Sequence, residues 1–144
     1  MKRIFFDTNV ILDQLDPTRK GHAAIVELEQ KMNDFSAQPL CAWHSLSIIE
    51  YVARKAFSKE DLYQVLLGIV ENFTIPATGS QQAQEAFGYF HHDFEDALQI
   101  ASAIEGKADY IVSNDKYGFS KSPITVVTPE QCAKILELKP ATDL

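Results

Sequence analysis

Four separated acids stand within or just beyond apolar segments of this chain. Asp7 ends the run Ile4-Phe5-Phe6, Glu50 lies inside Ser47-Ile48-Ile49-Glu50-Tyr51-Val52, Asp96 inside Asp93-Phe94-Glu95-Asp96-Ala97-Leu98, and Asp115 follows Tyr110-Ile111-Val112-Ser113-Asn114. A lone carboxylate in apolar surroundings is costly unless something positive meets it. A hard divalent cation such as Mg²⁺, held by oxygen ligands and keeping several of its waters, is the economical partner. Such an ion activates water and neutralises charge growing on a phosphoryl group, so the chemistry to expect is phosphodiester hydrolysis without a protein nucleophile. No Ser, Cys or His stands in a triad or nucleophile-elbow context, which agrees. The short Asp side chain suits direct ligation at positions 7, 96 and 115, whereas Glu50, projecting from a helix, suits action through an intervening water.

The neighbours of these acids admit two readings each. Thr8 and Asn9 would support the Asp7 carboxylate through a hydroxyl and backbone amides, and Ser113 would do the same for Asp115. Equally, these are good residues for leaving a strand. Asp93 would share a helical face with Asp96, three residues on, but it reads better as the N-cap of the helix that carries Asp96. Glu50 has a rival partner in Arg54, four residues on; such a pair is worth only about 0.3 to 0.5 kcal/mol, which favours the metal-site reading. His91 and His92 invite a transition-metal reading, yet tandem side chains diverge, and a solvated helix entry is expected.

In order and context these motifs resemble the PIN domain, a family of metal-dependent ribonucleases, and most closely its short VapC-like toxins. Asp7-Thr8-Asn9-Val10 is similar to the family's opening motif, and Asp96-Ala97-Leu98 followed by Ile100-Ala101-Ser102-Ala103 to its third; the likeness runs from Lys2 to about Pro129-Glu130. The resemblance implies an endoribonuclease using Mg²⁺ or Mn²⁺, an RNA substrate, a homodimer, and a small antitoxin covering the acidic cleft with an Arg-bearing peptide. One position departs from the pattern. The family often carries an acid directly before the Phe that corresponds to Phe119; here that residue is Gly118, so Asp115 is the acid for the fourth place.

Two other strand-end Mg²⁺ chemistries fit poorly. A receiver-type phospho-acceptor needs adjacent acids after the first strand and a Lys after the last. Here Asp7 follows Phe6, and Thr128-Pro129 follows the last strand. A dehalogenase-type phosphatase needs a second Asp two residues after the first, where this chain has Asn9. An inactive binding module of the same fold is the remaining alternative, set against the presence of all four acids.

With 144 residues the chain fits one domain, expected over 1–140 with a short tail at 141–144. A net charge of -7 argues against a broad basic face for nucleic acid. Clustered acids account for part of it, and bound divalent ions would restore positive potential where a phosphate must sit. The cations come in small groups, Arg19 with Lys20, Arg54 with Lys55, and Lys116 with Lys121. No segment approaches a membrane span and Asp7 interrupts the first apolar run before a signal-peptide core forms, so a cytoplasmic protein is expected. Cys41 and Cys132 lack metal-type spacing and read as free buried thiols.

Strands are expected at Arg3 to Phe6, Pro39 to Trp43, Phe73 to Ile75, Ala108 to Ser113 and Thr125 to Val127. Helices should fill the intervals, with Ala24, Ile25, Leu28 and Met32 on one face and Leu62, Val65, Leu66, Ile69 and Val70 on another. Ser45 and Ser58 are expected N-caps. Strands alternating with helices give a three-layer α/β/α domain on a mainly parallel five-stranded sheet. Its ligand site belongs at the carboxyl ends of the strands, where Asp7 and Asp115 fall.

Overall fold

The computed structural model describes residues 1–138; the end of the expected domain and the 141–144 tail lie outside the described residues. Strands β1 (Arg3–Phe6), β2 (Gln38–Leu40), β3 (Tyr110–Val112) and β4 (Val126–Val127) form one sheet in the order β2-β1-β3-β4. Every pairing is parallel, which requires a crossover between successive strands. Helices α1 (Thr8–Leu15), α2 (His22–Asp34), α3 (Ser45–Ala53), α4 (Lys59–Asn72), α5 (Ser80–Ala86), α6 (Phe94–Glu105) and α7 (Pro129–Glu137) supply them, α5 running on into a 3₁₀ turn at Phe87–Tyr89.

The α/β/α arrangement follows from β1, whose side chains are apolar on both sides. Ile4 and Phe6 enter one core with Ile25, Leu28, Ile49 and Leu136, while Phe5 enters the other with Leu40, Ile100, Ala103 and Phe119. A period of two sends successive residues to opposite faces, so a strand with no polar side must be covered twice. Burying each of these large side chains contributes about 1.5 to 3 kcal/mol. Ala86, Ala97 and Ala101 then let α5 approach α6 closely.

The sheet has four strands, not five. Thr74 donates its N–H to Pro39 O at 2.9 Å and accepts from Cys41 N at 3.1 Å, a single bridge that does not extend. Phe73 is still tied to the end of α4 by its N–H to Ile69 O, and Pro76 has no N–H to offer, so the two residues between them are too few to extend the ladder. Phe73 instead contributes an edge-to-face contact with Phe6, centroids 5.4 Å apart. Of the other strands, β1 has the expected bounds, β2 begins one residue earlier and ends three sooner, β3 is shorter at both ends, and β4 starts one residue later.

Helix starts follow the sequence at two places and depart at a third. Ser58 Oγ accepts from Asp61 N at 3.1 Å. Thr128 and Gln131 form a reciprocal capping box at 2.9 and 3.2 Å, with Pro129 in the first turn. Ser45 does not cap α3; it is already helical, fully buried, and its hydroxyl meets Thr8 Oγ1 at 2.7 Å. On α4, Leu62 and Ile69 are buried as expected, but Val70 is exposed. Cys41 and Cys132 are free and buried, their thiols pushed up to about 12 by that burial, so neither supplies a nucleophile.

Candidate active site

Between β1 and β3 the chain reverses its direction of travel across the sheet, to β2 on one side and to β3 and β4 on the other. A crevice opens at such a point beyond the carboxyl ends of the strands. Asp7 is the first residue past β1 and its N–H bonds Val112 O at 3.0 Å; Ser113 is the first past β3. The parallel register therefore sets these two side by side.

Asp7 is buried and held on all sides. Ser113 Oγ donates to its Oδ2 at 2.7 Å, Gln99 Nε2 donates to its Oδ1 at 3.2 Å, and Asn9 N–H, in the first turn of α1, donates to the same oxygen at 3.3 Å. The carboxylate is thus the N-cap of α1. Burial still raises its pKa above the ordinary value, and Glu95 adds to this, against the lowering effect of the three donors. The Ser113 hydroxyl also accepts from Asp115 N–H at 2.9 Å, so one side chain orients the first acid and the loop carrying the last.

Asp96 arrives from the first turn of α6. Asp93 caps that helix, its Oδ1 accepting from Glu95 N–H at 2.9 Å. Burial pushes the Asp96 carboxyl up to about 7, with Asp7, Glu95, Asp93 and Asp115 adding repulsion in that order. Asp115 is placed by Gly118 N–H, which donates to its Oδ1 at 3.2 Å. Gly118 also fixes how the two loops meet: a Cβ there would overlap Asp96 Oδ2 and stand 3.1 Å from Asp115 Oδ2. The space that a side chain at 118 would occupy is filled by the Asp96 carboxylate.

Glu50 is held by its own helix neighbour. Arg54 Nε donates to its Oε2 at 3.0 Å and the guanidinium also meets its other oxygen. Ile49 is buried, whereas Val52 is exposed and the Glu50 side chain is 35% exposed, so the i to i+4 ion pair with Arg54 competes with a metal-bound water for this carboxylate. Thr8 also differs from expectation. Its N–H goes to Gln99 Oε1 at 3.0 Å and its hydroxyl to Ser45, so it braces α1 against α3 and α6 without touching the Asp7 carboxylate. Ser45→Ala would strand the Thr8 hydroxyl in a buried setting at a cost of about 1 to 3 kcal/mol. A lowered urea midpoint with an unchanged urea dependence is the expected result.

Gln99, Glu95 and His44 were not singled out from the sequence. Gln99 is fully buried, and besides Thr8 and Asp7 it reaches Glu95 Oε1 at 3.1 Å; Glu95 Oε2 in turn meets His44 Nε2 at 2.7 Å. A signal was present. Gln99 interrupts the apolar run Ala97-Leu98-Gln99-Ile100-Ala101 on the side that must be buried, and Glu95 stands four residues before it.

Asp13 provides a comparison within the same chain. This buried acid is met by Arg19 Nε at 2.7 Å. Among the described residues no Lys or Arg pairs with Asp7 or Asp96, although both are buried. Their own ligating atoms are carboxylate oxygens, the kind a hard cation prefers. Among the described residues no three His, Cys, Asp or Glu side chains converge tightly enough to cage an ion. The fit is therefore to an ion that takes one or two carboxylates and keeps water in its other positions, as Mg²⁺ does.

The family model for the PIN domain matches residues 3–117. Curated proteins offer no match. Among solved structures, a chain of VapBC-1 from nontypeable Haemophilus influenzae is similar with TM-score 0.68 and 9% identity, over 88% of this chain and 98% of that one. A chain of DNA-bound VapBC from Salmonella typhimurium gives 0.65 and 16% over 90% and 99%. A chain of VapBC2 from Rickettsia felis bound to a promoter DNA fragment gives 0.64 and 16% over 88% and 98%. At these identities the likeness is one of fold, and it agrees with the crevice geometry. With the family model spanning most of its length, this chain belongs to the PIN-domain family.

Proposed function

We propose that the chain is a divalent-metal-dependent endoribonuclease, the toxin of a toxin–antitoxin pair. The observation that carries the reading is the convergence of Asp7, Asp96 and Asp115 without a protein cation, in a chain that supplies one to its other buried acid, Asp13. Mg²⁺ or Mn²⁺, when bound, supplies the Lewis acidity that activates water and offsets charge on the phosphoryl oxygens. One or two of Asp7, Asp96 and Asp115 would hold that ion directly, and the rest would act through its waters. Ser113 and Gln99 fix the orientation of Asp7, Gly118 that of Asp115, and the Asp93 cap fixes the first turn of α6 and with it Asp96.

Substrate contact is supported by a cleft of about 600 Å³ lined by Arg19, Lys20, Gly21 and Asn114. Asn114 lies between Ser113 and Asp115, so the cleft adjoins the acids, and Lys20 offers an ammonium for an RNA phosphate. Single-stranded RNA is the expected substrate. A similar chain comes from a toxin-antitoxin complex of Klebsiella pneumoniae, and we take a small antitoxin as this chain's partner, with an Arg inserted among the carboxylates in competition with the metal. A homodimer is part of the same proposal. It is supported by the exposed row Tyr63, Leu67 and Val70 on α4, spaced to form one stripe. No described helix is long and apolar enough to cross a membrane, which is compatible with the proposed cytoplasmic site of action.

The test is cleavage of a mixed RNA pool by purified, partner-free protein with Mg²⁺, Mn²⁺ or EDTA. Metal-dependent cleavage abolished by EDTA is the expected result; a folded protein that cuts nothing under any metal condition overturns the enzymatic reading in favour of a binding module. In the same assay Glu50, held by Arg54, reaches the ion only through water. Glu50→Gln should therefore lower the rate by about tenfold, well short of the loss in Asp96→Asn. Equal losses would place Glu50 at the centre of the site.

A further inference from the structure

His91 and His92 do not simply mark a solvated helix entry. Both imidazoles lie against Tyr117, with ring centroids 4.7 and 5.3 Å away and planes inclined at 68° and 61°. The cluster joins two segments distant in sequence, the turn before α6 and the loop after β3, and each segment also carries an acid of the site. Neither imidazole stacks flat on the phenol, and Tyr117 is 62% exposed, so an aromatic surface faces solvent here. Its position is fixed by Gly118. That residue follows Tyr117 by one Cα step of roughly 3.8 Å, and its own Cα is packed directly against the Asp96 carboxylate.

Tyr117 belongs to none of the three apolar core clusters, so core packing does not account for its ring. A nucleobase offers a flat apolar face of matching kind, and single-stranded nucleic acid leaves such faces free. We infer that the His91, Tyr117 and His92 cluster is a stacking platform for one base of single-stranded RNA, the base beside the phosphate that a metal ion would bring to Asp96 and Asp115. This rests on the nuclease reading above and adds to it a selection for unpaired RNA. In a duplex that base is already stacked on its neighbours and would have to be extruded, at a cost that the platform only partly returns.

The experiment uses a short single-stranded RNA carrying 2-aminopurine, bound with Mg²⁺ to full-length protein bearing Asp96→Asn so that it is not cut. Fluorescence of the probe should be quenched on binding. Adding Tyr117→Ala should remove the quenching and weaken binding about 5- to 150-fold. Tyr117→Phe, which keeps the ring, should restore both. Because Tyr117 is exposed, neither change threatens folding. If Tyr117→Ala binds and quenches as well as its parent while the protein with Asp96 intact cuts RNA, the platform is wrong and the nuclease reading stands. If the intact protein neither binds nor cuts any RNA, the nuclease reading fails and the platform with it. A Tyr117→Ala defect seen only in binding a protein partner would likewise overturn the assignment.

Discussion

Asp96→Asn is expected to abolish RNA cleavage and, in the same molecule, to stabilise the metal-free fold at pH 8. The two effects share one cause. Burial, then repulsion from Asp7, Glu95, Asp93 and Asp115, raises the Asp96 carboxyl to about 7 in the fold, whereas an unfolded Asp titrates near ~3.9. Between those values the folded state holds a proton that the unfolded state has released, so stability falls as pH rises through that window. At pH 8 the fold carries the full penalty of a charged carboxylate. Asn keeps the shape without the charge and removes that penalty, by about 1 to 2 kcal/mol once solvent screening is allowed for. This corresponds to a rise of roughly 2 to 8 °C in Tm for a chain of this size. A bound divalent ion favours the charged form, so metal should raise the Tm of the unaltered protein more at pH 8 than at pH 5, and should raise that of the variant, which keeps Asp7 and Asp115, by less. Thermal unfolding at both pH values, with Mg²⁺ and with EDTA, measures all of this. A variant less stable than its parent at pH 8 in EDTA would show that Asp96 is a structural acid, paired in a way the carboxylate cluster does not account for.

What could be read from the residues, and what could not, divides along physical lines. Asp7 and Asp115 were legible because parallel strands with apolar faces on both sides must be central, and residues just past their carboxyl ends must line the crevice. Asp96 was legible because Asp93 is a strong cap and sets the start of α6. The errors came from side chains whose local and tertiary options compete. Ser45 has the chemistry of a cap, yet a buried Thr8 hydroxyl needed a partner, and leaving it unpaired would have cost more than an uncapped turn. Glu50, beside Arg54 with Val52 turned outward, has a local partner as well as a metal role open to it. Phe73 to Ile75 has strand composition, but composition cannot show that α4 and Pro76 leave room for a single bridge. The network through Gln99 depends on a rotation of α6 that only the packed Ala86, Ala97 and Ala101 contact defines.

Gly118→Ala should separate catalytic geometry from stability, because here the family's frequent acid is replaced by a residue with no side chain at all. The glycine is not retained for its backbone, since no glycine in the described residues has positive φ. Alanine is therefore conformationally allowed, and by restricting the unfolded chain it would by itself contribute a few tenths of a kcal/mol or more in favour of the fold. Against this stands the overlap between the new methyl and Asp96 Oδ2, with Asp96 Cγ and Asp115 Oδ2 each 3.1 Å away. The obstructed atom is the end of a side chain and not backbone, so the carboxylate can rotate aside cheaply. Net stability should change by less than about 1 kcal/mol. Activity has no such escape: a displacement of about 1 Å in a group that positions the reacting phosphate typically costs on the order of a hundredfold. The expected result is a near-normal unfolding midpoint, a weakened Mg²⁺ requirement curve shifted to higher concentration, and a rate reduced by about two orders of magnitude. Gly118→Asp, which restores the family's acid, should not rescue the rate, since its carboxylate would compete with Asp96 for the same space and add a further like charge. Full metal-dependent cleavage by Gly118→Ala would mean that Asp96 does its work from another rotamer, and the carboxylate arrangement described above would have to be abandoned as the reactive one.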